Sequence, residues 1–521
     1  MKIWKCFEWS SALCLSARLL QAQSAFADGF GATASKQSGD GETNEVELLK
    51  KQMQQMQQQI ETLNKKIDEL TRSQAPPPSA ATKTEEQKKL EQQLSAELAQ
   101  GGATNATTAA ETKQPWSPAQ PITVARAGSS YMNISFDGLF AAGGSTANDI
   151  DGGTQLGGHD PKQRGFTVQN LELTFDGKVD PYFRGQANIV MQIDPAGETI
   201  VEAEEAYLET MSLPWNLQVK AGQFFTEVGR LNPSHPHSWA FVDQPLVNGR
   251  FFGEDGLRNP GARVSWLAPT PFYSELFFTV QNSQGETAHS FRSDHEGEGF
   301  LGRVNDTGSV KNLGDMLFST RYAASFDLSD TQTLLAGASA AFGPNGSGAD
   351  TDTQIYGVDL YWKWKPTNSR GGFPFVSWQT EAMLRRYQAG AFSEDLDGSG
   401  TLDPGEPDLN GDGLIDSVPR ETLTDWGFYS QVLYGFRKGW VAGLRGDYVG
   451  RTSRANYEGV YGNDTDRLGR WRISPNLTWY PSEFSKIRLQ YNYDDRNGIG
   501  VDHSIWLQFE FLLGSHAAHK F

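Results

Sequence analysis

The chain has 521 residues, 12 % aromatics, 55 glycines and a formal net charge of -18, with an isoelectric point near 5.0. No apolar run reaches the roughly 18 residues that a membrane-spanning helix requires, which excludes a helical membrane protein. A transmembrane β-barrel escapes that exclusion, because each strand shows lipid only alternate residues and averages to a polar sequence.

Met1 to Ala27 reads as a secretory signal: Lys2 and Lys5, an apolar stretch from Trp9 to Leu20, then Ala25-Phe26-Ala27 as a small-x-small cleavage site. Both cysteines, Cys6 and Cys14, lie inside it, so the mature chain would hold none. Residues 28–44 read as a flexible segment. From Val46 the apolar residues Leu49, Met53, Met56, Ile60, Leu63, Ile67 and Leu70 keep a 3-4 spacing, which predicts a coiled coil over 45–73. Ala75-Pro76-Pro77-Pro78 breaks it, and 74–128 reads as a Pro/Ala/Thr-rich linker with a short helix.

From residue 129 to 521 the texture changes to runs with a period of two, separated by Gly, Pro, Asn and Asp clusters. About sixteen strands are predicted, near 131–142, 165–179, 182–193, 200–211, 215–225, 259–268, 272–282, 315–328, 331–342, 353–365, 373–388, 424–436, 439–449, 468–480, 484–494 and 502–513. Tight turns such as Asp180-Pro181, Lys438-Gly439 and Tyr480-Pro481-Ser482 alternate with long loops near 143–164, 226–258, 283–314, 343–352, 389–423 and 450–467. That layout is an all-β transmembrane barrel, preceded by an α-helical coiled-coil stalk, with short periplasmic turns, long outer loops and both mature termini in the periplasm. The last strand stays apolar on one face, Ile505, Leu507, Phe509, Phe511 and Leu513, up to the aromatic Phe521. Trp362, Trp364, Trp440, Trp471, Trp479 and Tyr480 fall at strand ends, where an interfacial girdle belongs.

Charge falls on the opposite parity. Trp471, Ile473, Leu477 and Trp479 alternate with Arg470, Arg472, Ser474 and Asn476, and Ile487, Leu489, Tyr491 and Tyr493 with Lys486, Arg488, Gln490 and Asn492. The inner wall therefore collects Arg184, Arg263, Arg321, Lys363, Arg385, Arg445, Arg470, Arg472 and Arg488 against Glu172, Asp359, Glu381, Asp447 and Glu510. A wet lumen with a basic surplus favours anions. The alternative is that these arginines pair with nearby carboxylates and brace the wall.

The outer loop from Thr226 to Arg258 is rich in aromatics and paired prolines and is expected to fold into the barrel and narrow it. With the segment Phe251-Phe-Gly-Glu-Asp-Gly-Leu-Arg-Asn-Pro-Gly-Ala-Arg263 before a strand, the chain resembles the phosphate-selective porin O/P family. The resemblance implies a sixteen-stranded trimeric barrel in outer-membrane lipid, an inserted third loop, and an anion path lined by arginines and a lysine cluster. Arg230, Arg250, Arg258 and Arg263 stand where the arginines would, but this loop carries no lysine, so passage of general small anionic solutes is expected as much as of phosphate.

His235 and His237 form a His-x-His pair able to ligate a transition metal, with Glu227, Asp243, His289 and His295 as further candidates, which makes metal (zinc) uptake a second reading. A third is a structural tether whose coiled coil grips peptidoglycan. Farther on, Asp395, Asp397, Ser399, Thr401, Asp403 and Glu406 occupy the ligand positions of a twelve-residue calcium loop with Gly400 at the sharp turn. Asp408 to Asp416 repeats the first nine positions. Calcium there would be structural. Nothing in the chain resembles a nucleophile with its base, a phosphate-cradling loop or a retaining carboxylate pair, so neither an enzyme nor a nucleic-acid partner is expected.

Overall fold

The computed structural model describes residues 122–293 and 297–514. The predicted signal, coiled coil and most of the linker lie outside those residues, as do His295 and Phe521. The barrel strands are β1 (Ser130–Ser145), β2 (Gly165–Lys178), β3 (Phe183–Ile193), β4 (Thr199–Thr210), β5 (Leu217–Phe225), β6 (Arg258–Leu267), β7 (Tyr273–Asn282) and β8 (Met316–Ser329). They continue as β9 (Gln332–Pro344), β10 (Asp352–Trp364), β11 (Phe375–Ala389), β12 (Glu421–Arg437), β13 (Trp440–Arg451), β14 (Arg470–Ser482), β15 (Ser485–Arg496) and β16 (Gly500–Leu513).

Each strand pairs antiparallel with the next, and β16 returns to β1 through Phe136 opposite Leu513 to Ser145 opposite Ser504, closing sixteen strands of the 17-stranded sheet into a ring. The remaining strand, Ile122–Ala127, lies in the predicted linker and forms a hairpin on β1, Ala127 opposite Ser130. It borders β1 over residues 130–134, just beyond the stretch that β16 covers, so the exposed backbone edge of β1 is paired along its length. All sixteen predicted strands are present. The connections depart from the alternation in one respect: 194–198 and 497–499, on the long-loop side, are tight.

The two faces of each strand meet different surroundings. On β14 the outward Trp471, Ile473, Leu477 and Trp479 are exposed while Arg470, Arg472, Ser474 and Asn476 are buried, and β15 and β16 repeat the pattern. Trp440 stacks on Trp479 at 5.8 Å on the turn side, and Trp426 lies against Tyr448 at 4.8 Å on the loop side. Trp440 and Tyr448 of β13 are eight residues apart, about 26 Å along a strand. A strand tilt of about 35–45° brings that to about 20 Å of height between the aromatic rows, near the apolar band of about 25 Å that a membrane barrel carries.

The interior differs from a uniformly polar, wet lumen. Leu317, Ala341, Ile355, Met383, Tyr429 and Val449 point inward from consecutive strands β8 to β13 and join Val228, Leu246, Val247, Phe251, Phe252, Ala288 and Phe291 from the outer loops in one buried apolar cluster. These inward positions are apolar because a loop, rather than water, covers them.

The alternation generates a direct test. Leu444 lies midway between the girdles on β13 and is 55 % exposed on the outer face, so Leu444→Lys should destabilise the barrel by about 2–4 kcal/mol in bilayers. Urea titration of vesicle-folded protein reads the change, and an unaltered midpoint would contradict a lipid-facing Leu444.

Candidate functional site

The third loop, residues 226–257, crosses the lumen and is held at both ends. Where it leaves β5, Gly229 N–H donates to Ser339 Oγ at 3.0 Å, and the amides of Arg230 and Leu231 donate to the Glu381 carboxylate at 2.9 and 2.8 Å. Gly229 has φ +66, and a Cβ there would lie 2.2 Å from Glu381 Oε2, so only glycine lets the backbone approach this carboxylate. The loop then forms the short helix α1 (Leu246–Phe252), which stops at Gly253 with φ +82. α1 inserts Leu246, Val247, Phe251 and Phe252 into the apolar cluster, each buried side chain contributing about 1.5–3 kcal/mol.

The far anchor is Asp243, buried against β13, β14 and β15. Its carboxylate accepts from Arg445 at 2.6 Å, Arg472 at 3.0 Å, Gln490 at 2.9 Å and Asn492 at 2.8 Å. Burial alone would raise its pKa, but Arg445 and Arg472 outweigh that and hold it below the usual aspartate range. Beside it in the first loop, burial and the Asp243 charge push the Asp160 carboxyl up to about 7. Asp243, read from sequence as a metal candidate, is thus the loop's ionic clamp.

Eight of the eleven predicted pore-lining arginines are in carboxylate pairs. Arg184 pairs with Glu209, Arg258 with Glu202 and Arg263 with Glu227. Arg321 grips Asp359 at 2.6 Å, Arg385 grips Asp425 at 2.8 Å, Arg445 joins Asp447 as well as Asp243, and Arg470 and Arg472 share Asp494 at 2.6 and 2.7 Å. Three lack a carboxylate among the described ion pairs. Arg230 lies with its guanidinium 4.3 Å over Tyr361, Arg250 donates to the Leu468 carbonyl at 3.0 Å, and Arg488 donates to Thr478, Gln508 and the Trp239 carbonyl at 2.8–3.0 Å.

Beneath the loop, on the turn side, opens a cavity of about 310 Å³ lined by Asp137, His237, Trp239, Lys486, Arg488 and Glu510 among others. Ser238 is exposed, and Trp239 and Ala240 are half-buried, so the underside of the loop forms the roof of this space.

His235 and His237 are buried where the loop passes β2 and β4, and their neighbours are not those the sequence suggests. Glu227 pairs with Arg263, and His289 packs on Phe300 at 5.0 Å. Instead Glu172 of β2, Glu204 and Glu205 of β4 and His159 of the first loop surround the pair. Burial alone would lower the His235 pKa, but Glu204 and Glu172 outweigh it and hold the ring well above its ordinary value. Strand alternation cannot place Glu204 and Glu205 on one face. A bulge does: Asn188 faces Glu205 while its neighbour Ile189 faces Ala203, leaving Glu204 as the extra residue, and both glutamates become buried.

The predicted calcium ligands are brought together in the sixth outer loop. Asp395 accepts from the amides of Gly398 and Gly400 at 2.7 and 3.1 Å, and Glu406 folds back to accept from Leu396 and Asp403 at 2.7 and 2.8 Å. Asp395, Asp397 and Glu406 each turn an oxygen to a common point, the three within 4.8 Å of one another. Ser399, Thr401 and Asp403 adjoin them, Ser399 Oγ being 3.1 Å from Thr401 Oγ1 and 3.3 Å from Asp403 Oδ2. The buried Glu394 accepts from Leu409 and Asp416 at 2.8 and 2.9 Å and ties in the second loop; its position just before the first ligand gives no such signal in sequence.

No family model matches the chain. An uncharacterized protein of Aquifex aeolicus is 31 % identical over 388 residues, which is 70 % of this chain and 73 % of that one. Among solved structures, the chain is similar to the outer-membrane channel DcaP of Acinetobacter baumannii, at 13 % identity and a TM-score of 0.47 over 74 % of this chain and 99 % of that one. It is also similar to an anion-selective porin from Comamonas acidovorans, at 8 % identity and a TM-score of 0.42 over 74 % of this chain and 100 % of that one.

The clamp predicts an optimum in pH. Asp160, with its pKa raised to about 7, favours the folded loop increasingly as pH falls from there to the ordinary aspartate value of about 3.9. Asp243, depressed, contributes above that ordinary value and loses its contribution as pH falls through its own lower pKa. Protection of the third-loop amides from hydrogen exchange, relative to their intrinsic rates at each pH, should therefore be greatest near pH 4 and fall on either side. Asp243→Asn, which leaves Arg445 and Arg472 short of a buried partner, should cost about 3–5 kcal/mol of loop stability and weaken the acid limb.

Proposed function

We propose that this chain, which belongs to the same family as the uncharacterized Aquifex aeolicus protein, is an outer-membrane porin passing small, preferentially anionic solutes by diffusion. The observation that carries the reading is a closed barrel with an apolar outer band, on whose inner side Arg488 borders the space beneath the third loop and Arg230 lies over Tyr361 of β10, both without a carboxylate among the described ion pairs. Lys363, half-buried near the turn-side end of β10, adds a further positive charge on that wall. Unneutralised positive charge in a narrow, low-dielectric passage raises the local anion concentration, whereas an arginine already bonded to a carboxylate adds no net charge.

Phosphate-like solutes fall within this class, and the lack of lysine in the third loop supports general anion passage over a phosphate-specific site. Assembly as a homotrimer with the turn side in the periplasm belongs to the same reading.

Planar-bilayer recordings under a potassium chloride gradient test it. The reversal potential should have the sign of chloride preference, and Arg230→Gln with Arg488→Gln should move it toward zero. Arg321→Gln combined with Asp359→Asn, which removes a neutral pair, should leave it nearly unchanged. A cation-selective pore would refute the anion preference, and a barrel with no unitary conductance would favour a tether.

The outer calcium loop is part of the same proposal. Calcium should slow proteolysis of residues 395–416, and Glu406→Gln should remove most of that protection; equal cleavage with calcium and with chelator would overturn it.

A further inference from the structure

We infer that Glu172, Glu204, His235 and His237 form a buried site for a divalent transition metal of the zinc class, which joins the third loop to β2 and β4. Glu172, His235 and His237 each turn a ligand atom to within 4.8 Å of one another, and Glu204 adjoins them at His235. His237 Nδ1 is 3.0 Å from Glu172 Oε2, His235 Nδ1 is 3.6 Å from the same oxygen, and His235 Nδ1 is 2.7 Å from Glu204 Oε2. Metal–nitrogen and metal–oxygen bonds of about 2.0–2.2 Å at tetrahedral angles place neighbouring ligands about 3.3–3.5 Å apart. The two separations to Glu172 lie within about 0.3 Å of that spacing, and the closer Glu204–His235 pair would open to admit an ion.

Two of the four atoms are hydrogen-bonded to each other, His237 Nδ1 and Glu172 Oε2 at 3.0 Å, and the other two are not. Glu204 Oε2 and His235 Nδ1 are both enclosed and lack a hydrogen-bond partner, although they lie 2.7 Å apart. They face one another off the geometry of a shared proton, an arrangement in which an ion satisfies both. Outer partners set the ring that would ligate. His235 Nε2 lies 3.0 Å from Glu205 Oε2, so a proton held there leaves Nδ1 as a lone pair. On the other side of Glu204, His159 Nδ1 lies 3.2 Å from the Gln169 carbonyl, and its Nε2 lies 3.6 Å from Glu204 Oε1. Asn188 donates to Glu172 from behind.

The donor set selects the metal class. Two imidazoles with two carboxylates suit zinc, cobalt, nickel or copper, whereas calcium and magnesium take oxygen ligands alone. Glu172 and Glu204 together balance the charge of a divalent ion, which lowers the cost of burying it. The bound metal would cross-link the loop to β2 and β4, strands other than those that hold Asp243. This site does not depend on the solute that the barrel passes, and a non-conducting barrel would leave it standing.

The test uses the detergent-solubilised, folded full chain, freed of metal with chelator and titrated with cobalt(II). A visible d–d band of tetrahedral intensity saturating at one cobalt per chain is expected, displaced by zinc. His237→Ala and Glu204→Gln should each abolish it, and Glu205→Gln should weaken binding about 10–100-fold through loss of the outer hydrogen bond. His503→Ala, at an outward-facing position of β16, should leave it unchanged. Heat-modifiable migration on a gel confirms that each variant still forms the barrel. Cobalt that gives no band, or a band indifferent to His237→Ala and Glu204→Gln in folded protein, would overturn the site and leave the cluster as a histidine–carboxylate ion network.

Discussion

A buried aspartate held by two arginines from the far wall is the contact on which the interior of this protein depends. Asp243 is reached only because the third loop spans the lumen, and it meets Arg445 and Arg472 at 2.6 and 3.0 Å. Stability and position come from different interactions. A buried ion pair repays little more than its own desolvation, so the net gain comes from the four apolar side chains of α1 packed against β8 to β13. The ions instead select one register of the loop, since a carboxylate displaced from both guanidinium groups would be buried and uncompensated.

The same logic runs through the wall. Eight arginines point inward and each finds a carboxylate, so the ladder that a strand pattern reads as an anion path acts electrostatically as a brace. Net charge then depends on the few exceptions. Arg488 is buried but satisfied by neutral oxygens, and Arg230 rests on an aromatic face, so both keep their charge uncancelled, Arg488 at the side of the turn-side cavity and Arg230 against β10. Selectivity in such a barrel is a property of the residual charge after pairing, which is much smaller than the count of basic residues.

The third loop is thereby fastened in three chemically distinct ways: backbone amides on Glu381, the apolar plug of α1, and the ionic clamp at Asp243. The histidine–glutamate cluster on β2 and β4 adds a fourth attachment. Each responds to a different condition, and the acid sensitivity of one is opposed by that of Asp160 beside it.

Much of this was legible in the chain. A period of two with lipid-like residues on one parity is imposed by the pleat itself, so strand number, wall orientation and the girdle positions of Trp440, Trp471 and Trp479 follow from local sequence. The calcium-type loop was likewise legible, because its ligands are consecutive in the chain. What tertiary structure alone decided was pairing. Asp243 and Arg472 are 229 residues apart, and no local pattern distinguishes an arginine that faces water from one that faces a carboxylate on another element. Inward-facing Ile355, Met383 and Val449 are likewise meaningful only once a loop covers them. The bulge at Glu204 shows the limit most plainly: one extra residue turns two adjacent glutamates inward beside histidines from a different segment, and alternation, which assumes an unbroken pleat, assigns one of them to the wrong face.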